Sequence, residues 1–237
     1  MFYNPQYLIF MAPAFLLMLL TSWYVKSAYR KWNQVQARCH LTGSEAAQRL
    51  ISRGGLFGIQ IQAVAGNLTD NYDPRTKILH LSQDVAQNSS VAAIAVAAHE
   101  LGHAQQDAEG YFPLRFRAAL VPMVNFGSYL GWILVMIGLF LSYAGMALGI
   151  NIAWLGVLIF AGGALFALAT LPVELNASSR AHRLLTETGI ILGPDEEHGV
   201  KTVLNAAALT YVAALVTAVL QLLYYASMVG GLGRRRR

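Results

Sequence analysis

The chain has 237 residues, of which 56% are hydrophobic and only 12% charged. Soluble domains carry about a quarter charged residues, so this composition excludes an ordinary soluble protein and points to a chain whose solvent is partly lipid. The net charge of +5 comes largely from cations beside apolar stretches and from the terminal arginines, which fits a lipid bilayer with anionic headgroups and not nucleic acid.

No Asp, Glu, Lys or Arg occurs in 1–25, 118–173 or 202–233. A hydrocarbon core about 30 Å thick takes about 20 helical residues to cross, so the first and last stretches hold one span each and the middle stretch holds two. The spans are expected at 7–25, 119–143, 150–171 and 203–228, with a short turn around Gly145 to Gly149 joining the middle pair. Gly127, Gly131, Gly138, Gly156, Gly162 and Gly163 are expected to serve close helix packing there. The first stretch lacks the basic start of a signal peptide and is followed by Trp23, Tyr24, Lys26, Arg30 and Lys31, so it reads as a retained anchor. Together with Arg115, Arg117, Arg180 and Arg183, these cations put 26–117 and 172–202 on the cytoplasmic side of a multi-pass cell-membrane protein. The tail Arg234 to Arg237 opposes that assignment: either it is an exception or the last helix does not fully cross. The single Cys39 has no partner for an internal disulfide.

The polar stretch 26–117 reads as a small α+β unit continuous with the rest of the chain. Thr42 to Glu45 fits a capping box before a helix over 46–52, which Gly54 and Gly55 end. Ile59, Ile61 and Ala63 alternate with Gln60, Gln62 and Val64, the period of a half-buried strand. Asp73-Pro74-Arg75 has turn chemistry, so 68–72 and 77–81 are expected to pair as a hairpin. The segment Asn67 to Tyr72 could then offer an edge to an extended peptide. The Ala-rich run after Asn88 to Ser90 predicts a buried helix over 90–108. Val173 to Thr188 is expected as a further helix carrying Glu174, Arg180 and His182 and closed at Gly189, and Pro194 to begin the last helix.

His99 and His103 are four residues apart, hence about 40° apart around a helix and one turn along it, so both imidazoles can converge on one metal ion. Glu100, about 100° around from His99, can reach a water on that metal without ligating. Each histidine alone would read as a core residue. Together with a carboxylate in an Ala-rich helix they would be buried at several kcal/mol without partners, which favours zinc with Glu100 as general base. A catalytic zinc needs a third protein ligand. Glu174 fits best, just past a hairpin of spans that returns the chain to the same membrane face; Asp107 and Glu109 on the histidine helix and His182 beyond Glu174 fit less well. For a donor to a developing oxyanion the available side chains are Tyr72, Arg180 and His182, each with a plain structural alternative.

The segment Ala-Ala-His99-Glu100-Leu-Gly-His103-Ala-Gln-Gln, with Thr-Asp-Asn-Tyr-Asp-Pro-Arg upstream and Leu-Pro-Val-Glu174-Leu-Asn-Ala-Ser-Ser-Arg-Ala downstream, resembles the YugP-type bacterial membrane zinc metallopeptidases. More distantly it is similar to the HtpX and CAAX prenyl protease group, where Glu-x-x-x-Asp supplies the third ligand and an acid behind it. The resemblance implies Glu174 as that ligand. Ser178 stands where the wider group has the aspartate, so Asn176 or an acid elsewhere would have to support the imidazoles. The expected protein is thus mainly α-helical and integral to the membrane, with about four transmembrane helices and a small α+β zincin-like catalytic unit carrying the HExxH helix. Its expected activity is zinc-dependent hydrolysis of peptide bonds in membrane or membrane-adjacent polypeptides. The rival is a non-catalytic scaffold or assembly factor with a structural metal. A transporter would need ionisable groups within the spans, and these have none.

Overall fold

The computed structural model describes residues 5–67 and 69–234, with side chains to Gly231. Leu68, at the head of the expected hairpin, the Arg234 side chain and residues 235–237 of the basic tail lie outside the described residues. The elements run α1 (Pro5–Asn33), α2 (Gly43–Arg53), β1 (Gln60–Val64), β2 (Asn71–Asp73), β3 (Ile78–Ser82), α3 (Gln83–Gln87), α4 (Val91–Ala108), α5 (Phe112–Tyr143), α6 (Leu148–Glu187) and α7 (Pro194–Arg234). Two compact units form, one from Met1–Leu20, Arg115–Leu171 and Tyr211–Arg237, the other from Thr21–Leu114 and Pro172–Thr210.

Four helices, α1, α5, α6 and α7, are long and apolar enough to cross a membrane, and a helix satisfies its backbone groups internally, as lipid requires. The turn between α5 and α6 falls where expected, with Gly145 at φ +87°. The span 150–171 and the helix 173–188, expected as separate pieces, are consecutive stretches of one 40-residue helix, α6, with Pro172 inside it. A proline removes a single donor, and the helix-forming residues on either side carry the helix past it.

The core of the apolar unit contains Val135, Leu139, Ala153, Val157 and Val229. Here α5 and α6 approach through small residues: a methyl on Gly131 would lie 2.9 Å from the Gly156 carbonyl oxygen, and one on Gly138 would overlap the Ala153 nitrogen. Gly163, expected to share in this packing, has nothing within 4 Å of where a methyl would stand.

In the other unit α2 opens with the expected capping box: the Glu45 N–H donates to Thr42 Oγ1 (3.2 Å) and the Thr42 N–H to Glu45 Oε2 (2.8 Å). The sheet has the order β1-β3-β2. β2 pairs antiparallel with β3, as expected of a hairpin, but covers only three residues. The Asp70 carboxylate accepts the Ser82 N–H at 2.7 Å, so a side chain takes the donor that a longer ladder would use. β1 joins the far side of β3 in parallel. Ser90 caps α4, its Oγ accepting from the Ala93 N–H at 3.1 Å.

Leu50, Leu79, Leu81, Val85, Leu101, Leu185 and Ile190 fill the core of this unit. The stretch 26–117 supplies only part of it, because the Ala-rich α4 is covered in part by Ala181, Leu184 and Leu185 of α6.

Candidate metal centre

Helix α4 sets His99 and His103 one turn apart, their ring centroids separated by 4.9 Å and their planes nearly perpendicular at 85°. Glu174 of α6, 2% exposed, faces both. Its Oε2 lies 3.3 Å from His99 Nε2 and 3.4 Å from His103 Nε2. The ligand-type atoms of the three all fall within 4.8 Å of one another. Four tetrahedral ligands on bonds of about 2.0–2.1 Å are separated by about 3.3 Å. Two imidazoles and a carboxylate suit zinc in ligand type, and both carboxylate–imidazole distances match that spacing.

The approach of the helices depends on Gly102, the residue before His103. A methyl there would overlap the carbonyl oxygen of Ala177, itself fully buried on α6. With no side chain in the way, α4 and α6 meet closely enough for a short carboxylate arm to reach both rings.

Behind the rings stand two neutral side chains. Ser178 Oγ is 3.2 Å from His99 Nδ1, so the hydroxyl at the aspartate position of the wider group itself touches an imidazole, where Asn176 or an acid elsewhere was expected to stand. Gln106 Oε1 is 3.0 Å from His103 Nδ1. Asn176, a candidate for that supporting role, sits one step further back: its Oδ1 accepts from Gln106 Nε2 at 2.9 Å and from Arg180 Nε at 2.7 Å. Sequence reasoning passed over Gln106, although its position three residues after His103 puts it on the same helix face.

Glu100 is close to the cluster but outside it. Its Oε2 accepts the Tyr72 backbone N–H at 3.1 Å, across the edge of β2 that does not pair with β3. Burial pushes its carboxyl above the usual carboxylate range, against the pull of the two imidazoles. The Tyr72 phenol donates to Asp107 at 3.0 Å, and burial with that partner raises its pKa.

The alternative ligands are engaged elsewhere: Asp107 by Tyr72, Glu109 by Arg180 at 2.7 Å, and His182 by Glu197 at 3.1 Å. Arg180 also lies over the Tyr111 ring at 5.7 Å. Of the three candidate oxyanion donors, Tyr72 is the one that touches Glu100, and it does so through its backbone.

Four apolar helices of membrane-crossing length and a cluster of two half-buried imidazoles and a buried carboxylate mark a mainly helical protein with a candidate metal centre. Residues 7–230 match the family described as "Putative neutral zinc metallopeptidase", and the chain belongs to that family. It is 42% identical over 202 residues to "Putative membrane protease YugP" of Bacillus subtilis (strain 168), an alignment covering 85% of this chain and 86% of that protein. No solved structure matches the chain. Zinc is the metal that the family description implies, and the donor set fits it.

Proposed function

We propose that this protein is a membrane-embedded zinc endopeptidase in which His99, His103 and Glu174 hold the metal and Glu100 is the general base. The observation that carries the reading is the convergence of ligand-type atoms of His99, His103 and Glu174 within 4.8 Å, from two helices, with Glu100 as a second carboxylate on the histidine helix. A zinc ion held there supplies Lewis acidity, which brings the pKa of water down to about 7 and polarises a carbonyl.

Glu100 takes the proton from the attacking water and passes it to the leaving amine. The Tyr72 N–H steadies Oε2 for the first of these two transfers. The three neutral or anionic ligand side chains and the buried walls around them keep the reacting groups at fixed distances.

Substrate chemistry follows from β2. Its outer edge borders Glu100, whose carboxylate takes the Tyr72 N–H, so an extended polypeptide held beside that edge would bring a peptide carbonyl to the base. An HExxH helix beside a small sheet with such an edge is a zincin-like arrangement. The substrate class is extended or unfolded polypeptide in or near the bilayer, and the cations at 26–31 and 115–117 favour the cytoplasmic face for the site, against the pull of the basic tail.

The test is Glu100→Gln in purified protein. Zinc content stays at the wild-type level, and cleavage of an unfolded substrate such as casein falls by about 10²- to 10⁴-fold. Undiminished cleavage removes Glu100 from the mechanism. Wild-type protein that holds zinc yet cleaves no polypeptide would turn the reading towards a structural metal.

A further inference from the structure

We propose that Gln106 is a positioning residue that fixes the tautomer of His103 and so aims its Nε2 lone pair at the metal; the proposal rests on the zinc reading of the site. Gln106 is fully buried on α4, where an amide has to satisfy both its oxygen and its nitrogen. Its Nε2 lies 2.8 Å from the carbonyl oxygen of Val173 on α6, a group that can only accept. A second acceptor, Asn176 Oδ1, stands 2.9 Å away. That oxygen is identified in turn by Arg180, whose Nε can only donate and lies 2.7 Å from it. The Gln106 amide therefore has one orientation, with Oε1 towards His103 Nδ1 at 3.0 Å.

An acceptor at that position requires the hydrogen of the neutral ring to sit on Nδ1. The lone pair is then on Nε2, the atom 3.4 Å from Glu174 Oε2. The fixing chain does not end at Asn176. Arg180 Nη1 forms an ion pair with Glu109 Oε1, 2.7 Å away at the far end of α4, so a half-exposed carboxylate anchors the guanidinium from which hydrogen bonds run through two amides to the imidazole. Both helices are tied into it at several points: His103, Gln106 and the C-cap residue Glu109 on one side, Val173, Asn176 and Arg180 on the other.

His99 is held differently. Ser178 Oγ at 3.2 Å from its Nδ1 is a hydroxyl that can donate or accept, and it therefore leaves the His99 tautomer undetermined. Of the two imidazoles, His103 is the one whose tautomer its surroundings fix. A carboxylate behind the ring is unnecessary because an amide whose flip is blocked gives the same direction without adding charge.

The experiment uses the full chain in detergent. Zinc affinity is measured by chelator competition for the wild type and for Gln106→Met, which keeps the length of the side chain but has no amide. The variant is expected to bind zinc about 10- to 100-fold more weakly, and its cobalt-substituted form to have altered visible bands, which report ligand geometry and which a loss of general stability would not move. Nitrogen NMR of the zinc-loaded wild type is a second readout that needs no variant: His103 is expected with a proton on Nδ1 and metal on Nε2. Wild-type affinity and cobalt bands in Gln106→Met, or His103 bound through Nδ1, would overturn the proposal. A wild type that binds no zinc would remove the metal reading, and this proposal with it.

Discussion

In the apolar unit α5 and the first part of α6 meet where Gly131, Gly138 and Gly156 leave only backbone between them. In the other unit Gly102 of α4 meets the backbone of Ala177 on the last part of α6 in the same way. The surroundings of the two contacts differ. Around the first lie Val135, Leu139, Ala153 and Val157, so what close approach secures there is packing. Around the second lie His99, His103, Glu174 and Gln106, so what it secures is the distance between polar groups. Apolar packing degrades gradually as helices separate, whereas a set of ligand atoms within 4.8 Å is lost over a displacement of an ångström or so.

Gly102→Ala is the sharpest way to break that comparison. The added methyl meets a backbone carbonyl, which cannot turn aside as a side chain would, so α4 and α6 have to move apart. A shift of about 1 Å at a reacting centre costs about 10²-fold in rate. The expected outcome is that loss in casein cleavage together with weakened zinc binding, in protein that still folds. A Gly102→Ala variant with wild-type turnover and zinc content would mean that the site tolerates separation of its helices, and the contrast would fail.

Gly138→Ala is the counterpart in the apolar unit. Its methyl overlaps the Ala153 nitrogen, and overpacking of this kind costs about 1–3 kcal/mol. Thermal unfolding in detergent should move to lower temperature while the folded fraction binds zinc with unchanged affinity. Zinc affinity falling in step with stability would join the two contacts into one.

The two regions also differed in how far the sequence disclosed them. Runs without charge are a long-range compositional signal, and they located all four apolar helices, although α6 passes through Pro172 where a boundary was expected. The HELGH spacing is a helical signal and needed no tertiary information. Glu174 came from topology and from family likeness, and its side chain does face both imidazoles. Gln106 was missed because its meaning lies in Val173, 67 residues away, whose carbonyl carries no mark in the sequence. The parallel pairing of β1 with β3 was hidden for a similar reason: it has no tight turn of its own, since β2 intervenes. The boundary of the polar unit at 117 reflected chain order, while the compact unit takes in 172–210 as well.

Thr42→Ala gives the smallest effect and separates stability from site geometry within one unit. Thr42 Oγ1 accepts the Glu45 N–H and so closes the first turn of α2. Loss of such a cap costs about 1 kcal/mol. The apolar face of α2, with Ala46, Ala47 and Leu50, belongs to the core that also contains Leu101 of α4, so the loss reaches the unit holding the candidate ligands. The contact between Gly102 and Ala177 is untouched. Unfolding temperature should therefore fall by a few degrees while zinc affinity and casein turnover, measured well below the transition, stay at wild-type levels. If affinity dropped as well, the ligand cluster would be governed by the stability of the whole unit, and the approach of two helices at one glycine would lose its special place in holding the site.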